Sequence, residues 1–287
     1  MGRGISAKSK QLIQRAHDVL EVEHPSGVRR VAYAIYGNQA STHVKKLGDL
    51  LTRARKSGAI PWAWISDDTR PEREPFVVTD MGDMRDTHRV CPSYDPWRDQ
   101  PSRVVVWSEK SVGGTLAPVL DSLLVPFRVH HGNTSTTVMY HTAKATREDD
   151  RALVILYVGD HDPKGLRISE DDIPTRLATY GAADVRVKRL AMTREDAVRL
   201  VDLGDPLKPT DRDVPWYRQH TGLGYGVELE ALPSTDLRDR VETAIKTEIT
   251  NVAGWNRTME TSRVVRESWQ KYVDAWPAPA ISGQGSE

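Results

Sequence analysis

Hydrophobic residues in the first part of the chain recur every three or four positions, which is the period of an amphipathic helix. This spacing is seen at Leu12, Ile13, Ala16, Val19 and Leu20. After the turn-forming segment HPSG, Ser26 can cap a second helix that Gly37 ends. Ser41 can cap a third helix, which stops at Gly58. Three short helices followed by AIPWAWI predict a winged-helix-like DNA-binding domain over residues 1–70.

Beyond residue 102 the pattern changes to short apolar runs separated by helical stretches. The runs cover residues 104–107, 125–129, 153–158 and 185–190. Continuous apolar runs of this length are typical of strands in a parallel sheet, which are buried on both faces and joined by helices. The sequence therefore predicts an α/β fold, with a Rossmann-like parallel sheet over residues 103–200 and an α/β extension over 201–275.

Two other segments show neither period. Residues 71–102 are rich in Pro, Asp and Arg, and we expect them to form an irregular connector. Residues 276–287 are predicted to be a disordered tail.

Charge is balanced over the whole chain but uneven along it. The formal net charge is zero, yet residues 3–56 hold eleven Lys and Arg residues against four acidic ones. Lys45, Lys46 and Arg53 fall on the polar side of the predicted third helix and are candidates for contacts to DNA phosphates. An ordinary solvated surface would show the same imbalance. The chain has no apolar run of the roughly 20 residues that cross a bilayer, so we expect no membrane segment and a cytoplasmic location.

Acidic residues follow two of the predicted strands at the point where each strand ends. Glu109 ends VVVWSEK, and Asp160 and Asp162 follow LVILYV in GDHDPKG. Open α/β sheets build their active sites at these strand ends. Carboxylate oxygens suit a hard cation such as Mg²⁺, which also binds substrate phosphate. Lys110 and Lys164 flank the carboxylates and could hold neighbouring DNA phosphates, although surface lysines often have no specific role.

A strand ending in Glu-Lys, followed 51 residues later by Asp-x-Asp-Pro-x-Gly, resembles the Toprim domain. The match resembles the Toprim domain of topoisomerase VI A subunits and the meiotic double-strand-break transesterases, and especially that of their short single-subunit relatives on phages and mobile elements. Further stretches resemble these proteins in the same order: VRRVAY, LLTRARKSGAIPWAWISDDTR, HHGNTSTT, DPLKPTDRD and VELEALP. The resemblance implies that Glu109, Asp160 and Asp162 bind magnesium. Glu228 and Glu230 are weaker candidates, since an acidic pair on an alternating strand is more often structural.

In this family a tyrosine on an N-terminal helix attacks DNA and stays joined to the 5′ phosphate, and an arginine precedes it by four residues. Arg29 and Tyr33 in VRRVAY have this spacing. On a helical wheel Tyr33 points away from the apolar stripe and lies beside Arg29, which could stabilise a phenolate. We therefore expect Tyr33 not to be a simple core residue. Ala32 stands where many relatives carry an aromatic residue. Tyr36, one turn further on, is the alternative nucleophile or a DNA contact, and a mechanism without a protein nucleophile also stays open.

The resemblance implies magnesium-dependent transesterification of double-stranded DNA by a nucleoid-associated homodimer, in which one tyrosine meets the other subunit's metal. The chain lacks a G-x-x-x-x-G-K-[ST] loop, so we expect the reaction to be independent of ATP. A further partner subunit is not excluded. Two rival functions remain: a Toprim nuclease that hydrolyses DNA with water and does not need Tyr33, and a non-catalytic DNA-binding protein with a degenerate Toprim fold.

Overall fold

A four-stranded parallel sheet forms the centre of the fold, which is mixed α/β as the sequence predicts. The structure, a computed structural model, describes residues 6–66, 86–87, 93–130, 134 and 136–276. Among them the chain divides into two compact units, one drawn from residues 1–70 and 101–248 and the other from 71–100 and 249–287. The sheet and all the candidate site residues belong to the first unit.

The N-terminal segment forms the three predicted helices, although two of the predicted caps are wrong. The helices are α1 (Ala7–Glu23), α2 (Val28–Tyr36) and α3 (Ala40–Lys56). Gly27 rather than Ser26 precedes α2, because the Ser26 hydroxyl hydrogen-bonds the Ser234 hydroxyl at 2.8 Å. Gln39 rather than Ser41 precedes α3. Gly37 ends α2 with a φ of 57°, which favours glycine.

Short elements complete this part of the chain. A 3₁₀ turn at Gly37–Gln39 links α2 to α3, and another lies at Trp62–Trp64. The two-residue strands β1 (Ser26–Gly27) and β2 (Ile65–Ser66) pair in parallel. The start of α2 is therefore tied to the segment that follows α3.

The central sheet contains β3 (Ser102–Ser108), β4 (Phe127–Val129), β5 (Ala152–Val158) and β6 (Val185–Ala191). Their order is β4-β3-β5-β6, and every pair is parallel. Every residue of β5 is buried, which explains its unbroken apolar sequence. The chain passes from β3 to the edge strand β4 and then returns to the other side of β3 as β5. This reversal leaves a crevice at the carboxyl ends of β3 and β5, where α/β sheets bind ligands.

Helices connect the strands of this sheet. They are α4 (Gly113–Leu123) after β3, α5 (Thr136–Arg147) before β5, and α6 (Pro163–Arg167), a π-helical turn (Ile168–Asp172) and α7 (Ile173–Thr179) between β5 and β6. A core of Trp107, Met139, Ile155, Ile168 and Leu177 lies between β3, β5 and these helices. The strand ends are thus held by a well-packed interior.

The chain after β6 returns to the carboxyl ends of the strands. Its elements are α8 (Arg194–Arg199), a 3₁₀ turn (Val201–Leu203), β7 (Asp205–Pro206), α9 (Val214–Thr221), β8 (Tyr225–Gly226), a 3₁₀ turn (Leu229–Ala231) and α10 (Ser234–Thr247). Strands β7 and β8 pair antiparallel, and α10 packs against α4 and β6. The acidic pair of VELEALP therefore lies at a 3₁₀ turn and not on the alternating strand we expected.

The second unit contains α11 (Val252–Asp274) and the described part of residues 93–100. The Trp97 ring packs edge-on against Trp255 at 5.1 Å, and Gln100 exchanges two hydrogen bonds with the backbone of Asn251. The end of the predicted connector is thus packed on a helix. Residues 67–70 of the predicted N-terminal domain, 71–85 and 88–92 of the predicted connector, and 277–287 of the predicted tail lie outside the described residues. In the described ranges no helix is long and apolar enough to cross a membrane.

Candidate active site

The two acidic segments predicted from the strand ends lie side by side. Glu109 follows β3 and Asp160 follows β5, its immediate neighbour in the sheet. The Oε1 atom of Glu109 accepts a hydrogen bond from the backbone N–H of Asp160 at 2.8 Å. The Glu109 carboxylate is therefore fixed against the loop that carries the other two candidate ligands.

Two glycines make room for this contact. A Cβ atom on Gly165 would lie 2.5 Å from the carbonyl oxygen of Asp160 and 2.7 Å from Oε1 of Glu109. A Cβ on Gly159 would lie 2.9 Å from the same Glu109 oxygen. Because Cβ atoms essentially never approach other atoms closer than 3.0 Å, both positions need glycine for the carboxylate to sit where it does. The sequence GDHDPKG thus encodes a cradle for Glu109.

Asp162 lies in the same loop and caps the helix that follows it. It precedes α6, and its Oδ1 atom accepts a hydrogen bond from the N–H of Gly165 at 2.6 Å. A Cβ on Gly165 would lie 3.2 Å from this oxygen and 2.7 Å from Oε1 of Glu109, so the two carboxylates face the same small space. In the part of the chain that the structure describes, no group of three or more His, Cys, Asp or Glu side chains is arranged to hold a metal as it stands.

Asp160 is 8% exposed and has a partner for each oxygen. Oδ1 accepts the backbone N–H of Leu229 at 2.8 Å, and Oδ2 lies 2.7 Å from Nζ of Lys110. Burial, together with the charges of Glu230 and Glu109, raises the pKa of Asp160 although the Lys110 ammonium opposes it. Burial and the charge of Asp162 also raise the pKa of Glu109. Burial therefore disfavours the ionised form of both carboxyl groups.

A second acidic pair completes the cluster. Lys110 Nζ lies 3.6 Å from Oε2 of Glu230, and Arg29 lies 2.7 Å from Oε2 of Glu228 and 3.8 Å from Oε1 of Glu230. Two cations thus bridge Asp160 to both residues of VELEALP. We had ranked Glu228 and Glu230 as weaker candidates because an acidic pair on an alternating strand is more often structural, whereas the structure has a 3₁₀ turn here and brings both residues into the cluster.

Tyr33 reaches this cluster from α2. Its hydroxyl donates a hydrogen bond to Oε2 of Glu228 at 2.9 Å. We expected Tyr33 not to be a simple core residue; its side chain is buried, with only 5% exposed, but its hydroxyl contacts a carboxylate. Helix α2 packs against both α3 and the Leu229–Ala231 turn, so the side of α2 that bears Tyr33 is covered as well as the apolar stripe.

Electrostatics keep the Tyr33 hydroxyl protonated in this arrangement. Burial and the negative charge of Glu228 raise the pKa of Tyr33 above its ordinary value. Burial alone would raise the pKa of Glu228, but Lys110 and Arg29 outweigh it and lower that pKa. Arg29 therefore acts on Glu228, which it shares with Tyr33. Of the two candidate tyrosines, it is Tyr33 whose hydroxyl is bonded to the carboxylates, while the Tyr36 ring stacks on His43 at 4.4 Å.

The predicted DNA-contacting residues fall into two groups. Lys45, Lys46 and Arg53 are exposed on α3, and Lys164 is exposed on α6. Lys110 is instead held between Asp160 and Glu230 inside the cluster.

Sequence reasoning missed Arg189, which organises the loop after β5. Its guanidinium donates hydrogen bonds to the carbonyl oxygens of Gly159, Asp160 and Gly165 at 3.2, 3.1 and 2.6 Å. It also lies over the Tyr157 ring, with the guanidinium carbon 5.2 Å from the ring centre. An arginine inside a strand run needs polar partners, so its presence in VRVKRLA was the available signal.

The sequence matches no protein-family model and no curated protein.

Proposed function

We propose that this chain is a magnesium-dependent DNA-cleaving enzyme of the Toprim type, in which Tyr33 attacks a DNA phosphate and stays joined to the 5′ end. The observation that carries the proposal is a chain of polar contacts between Tyr33 and the strand-end carboxylates. It runs from Tyr33 through Glu228, Arg29, Glu230 and Lys110 to Asp160, with no step longer than 3.8 Å. This cluster supports the proposal because it joins the candidate nucleophile to a candidate metal ligand.

The donor set fits magnesium. Glu109, Asp160 and Asp162 supply the carboxylate oxygens that Mg²⁺ prefers, and a bound cation would favour the ionised forms of the first two, which burial disfavours. The Lys110 ammonium already lies against Asp160, where a cation is electrostatically favoured. Bound Mg²⁺ would supply Lewis-acid stabilisation of the charge that develops on the phosphate and the departing oxygen.

Residues of the chain carry out the bond formation and the proton transfer. The Tyr33 oxygen forms a bond to phosphorus as the bond from phosphorus to the 3′ oxygen breaks, so one ester replaces another and no external energy source is needed. The Tyr33 proton passes to Glu228, which already accepts its hydrogen bond, and the 3′ oxygen takes a proton from water. Because Tyr33 is buried, a DNA phosphate reaches it only after α2 moves away from Glu228.

The three N-terminal helices act in this proposal as a winged-helix-like module that binds double-stranded DNA, with Lys45, Lys46 and Arg53 exposed toward the phosphates. Two copies of the chain in a homodimer would cut both strands. The contact of Tyr33 with Glu228 favours attack within one chain over the expected approach of Tyr33 to the other subunit's metal.

One observation favours the hydrolytic alternative. The Tyr33 hydroxyl is buried and its pKa is raised, so Tyr33 must be exposed and lose its proton before it can attack. A water molecule used as the nucleophile does not need α2 to move. A Toprim nuclease would use Glu109, Asp160 and Asp162 with water as the nucleophile and would leave no protein on the DNA.

The test is to incubate the protein with supercoiled plasmid and magnesium, stop the reaction with detergent, and compare gels with and without protease. We expect the wild type to break the DNA and to remain attached to it. Tyr33→Phe should form no protein adduct, and Asp160→Ala should abolish all cleavage. Tyr140→Phe, an exposed tyrosine on α5, is the matched control and should cleave like the wild type. Cleavage by Tyr33→Phe without an adduct in the wild type would establish the nuclease instead.

A further inference from the structure

A cavity of about 490 Å³ lies beside the candidate active site. Glu109, Lys110 and Glu230 line it, so it shares residues with the carboxylate cluster. Its volume falls in the range of roughly 300 to 1,000 Å³ that small-molecule sites occupy. The proposed reaction assigns no ligand to this space.

Among the described residues, one cation that lines the cavity has no carboxylate partner. Arg29, Arg30 and Lys110 line it, but each is paired: with Glu228 at 2.7 Å, with Glu23 at 2.9 Å and with Asp160 at 2.7 Å. Arg55 also lines the cavity, and its guanidinium carbon lies 4.8 Å from the centre of the Trp62 ring. Within the described residues, its Nε atom is buried and has no hydrogen-bond partner. Arg55 is therefore available to an anionic acceptor.

A second lining residue has an ionic contact but no hydrogen bond at one oxygen. The Oε2 atom of Glu230 is buried, lies 3.6 Å from Nζ of Lys110 and accepts no hydrogen bond from any described residue. A buried acceptor without a donor is unfavourable, and a ligand that donates a hydrogen bond would satisfy it. The cavity therefore favours a ligand that places an anionic group near Arg55 and a hydroxyl or amino hydrogen near Glu230.

The rest of the lining is largely apolar and includes Val28, Ile65, Val112, Leu229, Leu232 and Leu237. Apolar walls with a few placed polar groups suit a flat ring that carries polar substituents. A phosphate, a ring and a hydrogen-bond donor within one molecule of this size describe a nucleotide.

We propose that this cavity binds a single nucleotide, with its phosphate at Arg55, its base against the apolar residues, and a hydrogen donated to Glu230. The inference rests on the proposed function, because it assigns part of the same site to one unit of the substrate. The nucleotide is either one unit of a DNA strand or a free mononucleotide, since both present the same groups.

Equilibrium binding tests the ligand without any cleavage. Tyr33→Phe protein is titrated with dAMP, with adenosine, with inorganic phosphate and with a single-stranded octanucleotide. We expect dAMP, the octanucleotide or both to bind at least tenfold more tightly than adenosine or phosphate. Binding of dAMP identifies a free nucleotide as a ligand, and binding of the octanucleotide alone identifies a unit of a strand. Equal binding of phosphate by itself, or no binding of either nucleotide ligand, overturns the assignment.

Two variants locate the binding in the cavity. Arg55→Gln removes the unpaired cation, and Gly27→Leu fills the cavity, because a Cβ on Gly27 meets no described atom within 4 Å. We expect each variant to weaken binding at least tenfold, while Lys56→Gln, an exposed neighbour on α3, leaves it unchanged. Thermal melts check that the variants are folded. Unchanged binding in both variants overturns the inference even if the wild type cleaves DNA, whereas binding without cleavage overturns the proposed function alone.

Discussion

Replacing Gly165 with alanine tests how tightly the loop after β5 is packed around Glu109. The added Cβ would lie 2.5 Å from the carbonyl oxygen of Asp160 and 2.7 Å from Oε1 of Glu109. Because contacts below 3.0 Å are essentially never seen, the Asp160 carbonyl must withdraw by at least the difference between 3.0 and 2.5 Å. That carbonyl belongs to the backbone and accepts a hydrogen bond from Arg189, so no side-chain rotation relieves the strain. Overpacking of this kind costs about 1 to 3 kcal/mol.

Thermal unfolding and plasmid cleavage measure the two consequences. The melting temperature should fall by about 2 to 4 °C for each kcal/mol lost, as in other domains of this size. Magnesium-dependent cleavage should fall at least tenfold, because the Glu109 carboxylate is displaced. Gly224→Ala is the control, since a Cβ there meets no described atom within 4 Å. A Gly165→Ala protein that melts and cleaves like Gly224→Ala would refute the cradle.

Three further predictions concern stability and the nucleophile. Burial lowers the pKa of His130 from 6.5 to about 4, so its contribution to stability is full above pH 6.5 and is lost as the pH falls through 4. His130→Phe should flatten the decline in melting temperature over this range, whereas exposed His141→Phe should keep the wild-type slope; identical slopes would contradict the burial of His130. Arg189→Lys should lower the melting temperature and cleavage together, because lysine lacks the planar fork that holds four backbone carbonyls, while Arg218→Lys, at an exposed position on α9, should change neither. Tyr36→Phe should cleave DNA and form the protein–DNA adduct like the wild type. Loss of the adduct in this variant would make Tyr36 the nucleophile.

The parallel sheet could be predicted because its physical cause is local. A strand buried on both faces must be apolar at every position, and β5 shows this directly in its sequence. The proximity of Glu109 and Asp160 followed from a general rule on strand ends, without knowledge of any side-chain contact. Their binding of magnesium stays a prediction.

The rest of the site depends on contacts between residues far apart in the chain. The helical wheel of α2 separates Tyr33 from the apolar stripe, but it cannot reveal that the Leu229–Ala231 turn covers that side and places Glu228 against the hydroxyl. In the same way Ser26 has the chemistry of a helix cap and instead bonds Ser234, 208 residues later. Local propensity yields to tertiary packing in both cases.

The most direct test of the central claim is to locate the residue that becomes attached to DNA. Wild-type protein is trapped with detergent during cleavage, the DNA is trimmed with nuclease, and tryptic peptides are read by mass spectrometry. Cleavage after Arg30 and Lys45 releases residues 31–45, which contain both candidate tyrosines, and fragmentation distinguishes them. We predict a nucleotide on Tyr33. Cleaved DNA with no modified peptide, or a nucleotide on any other residue, would contradict the assignment of Tyr33 as the nucleophile.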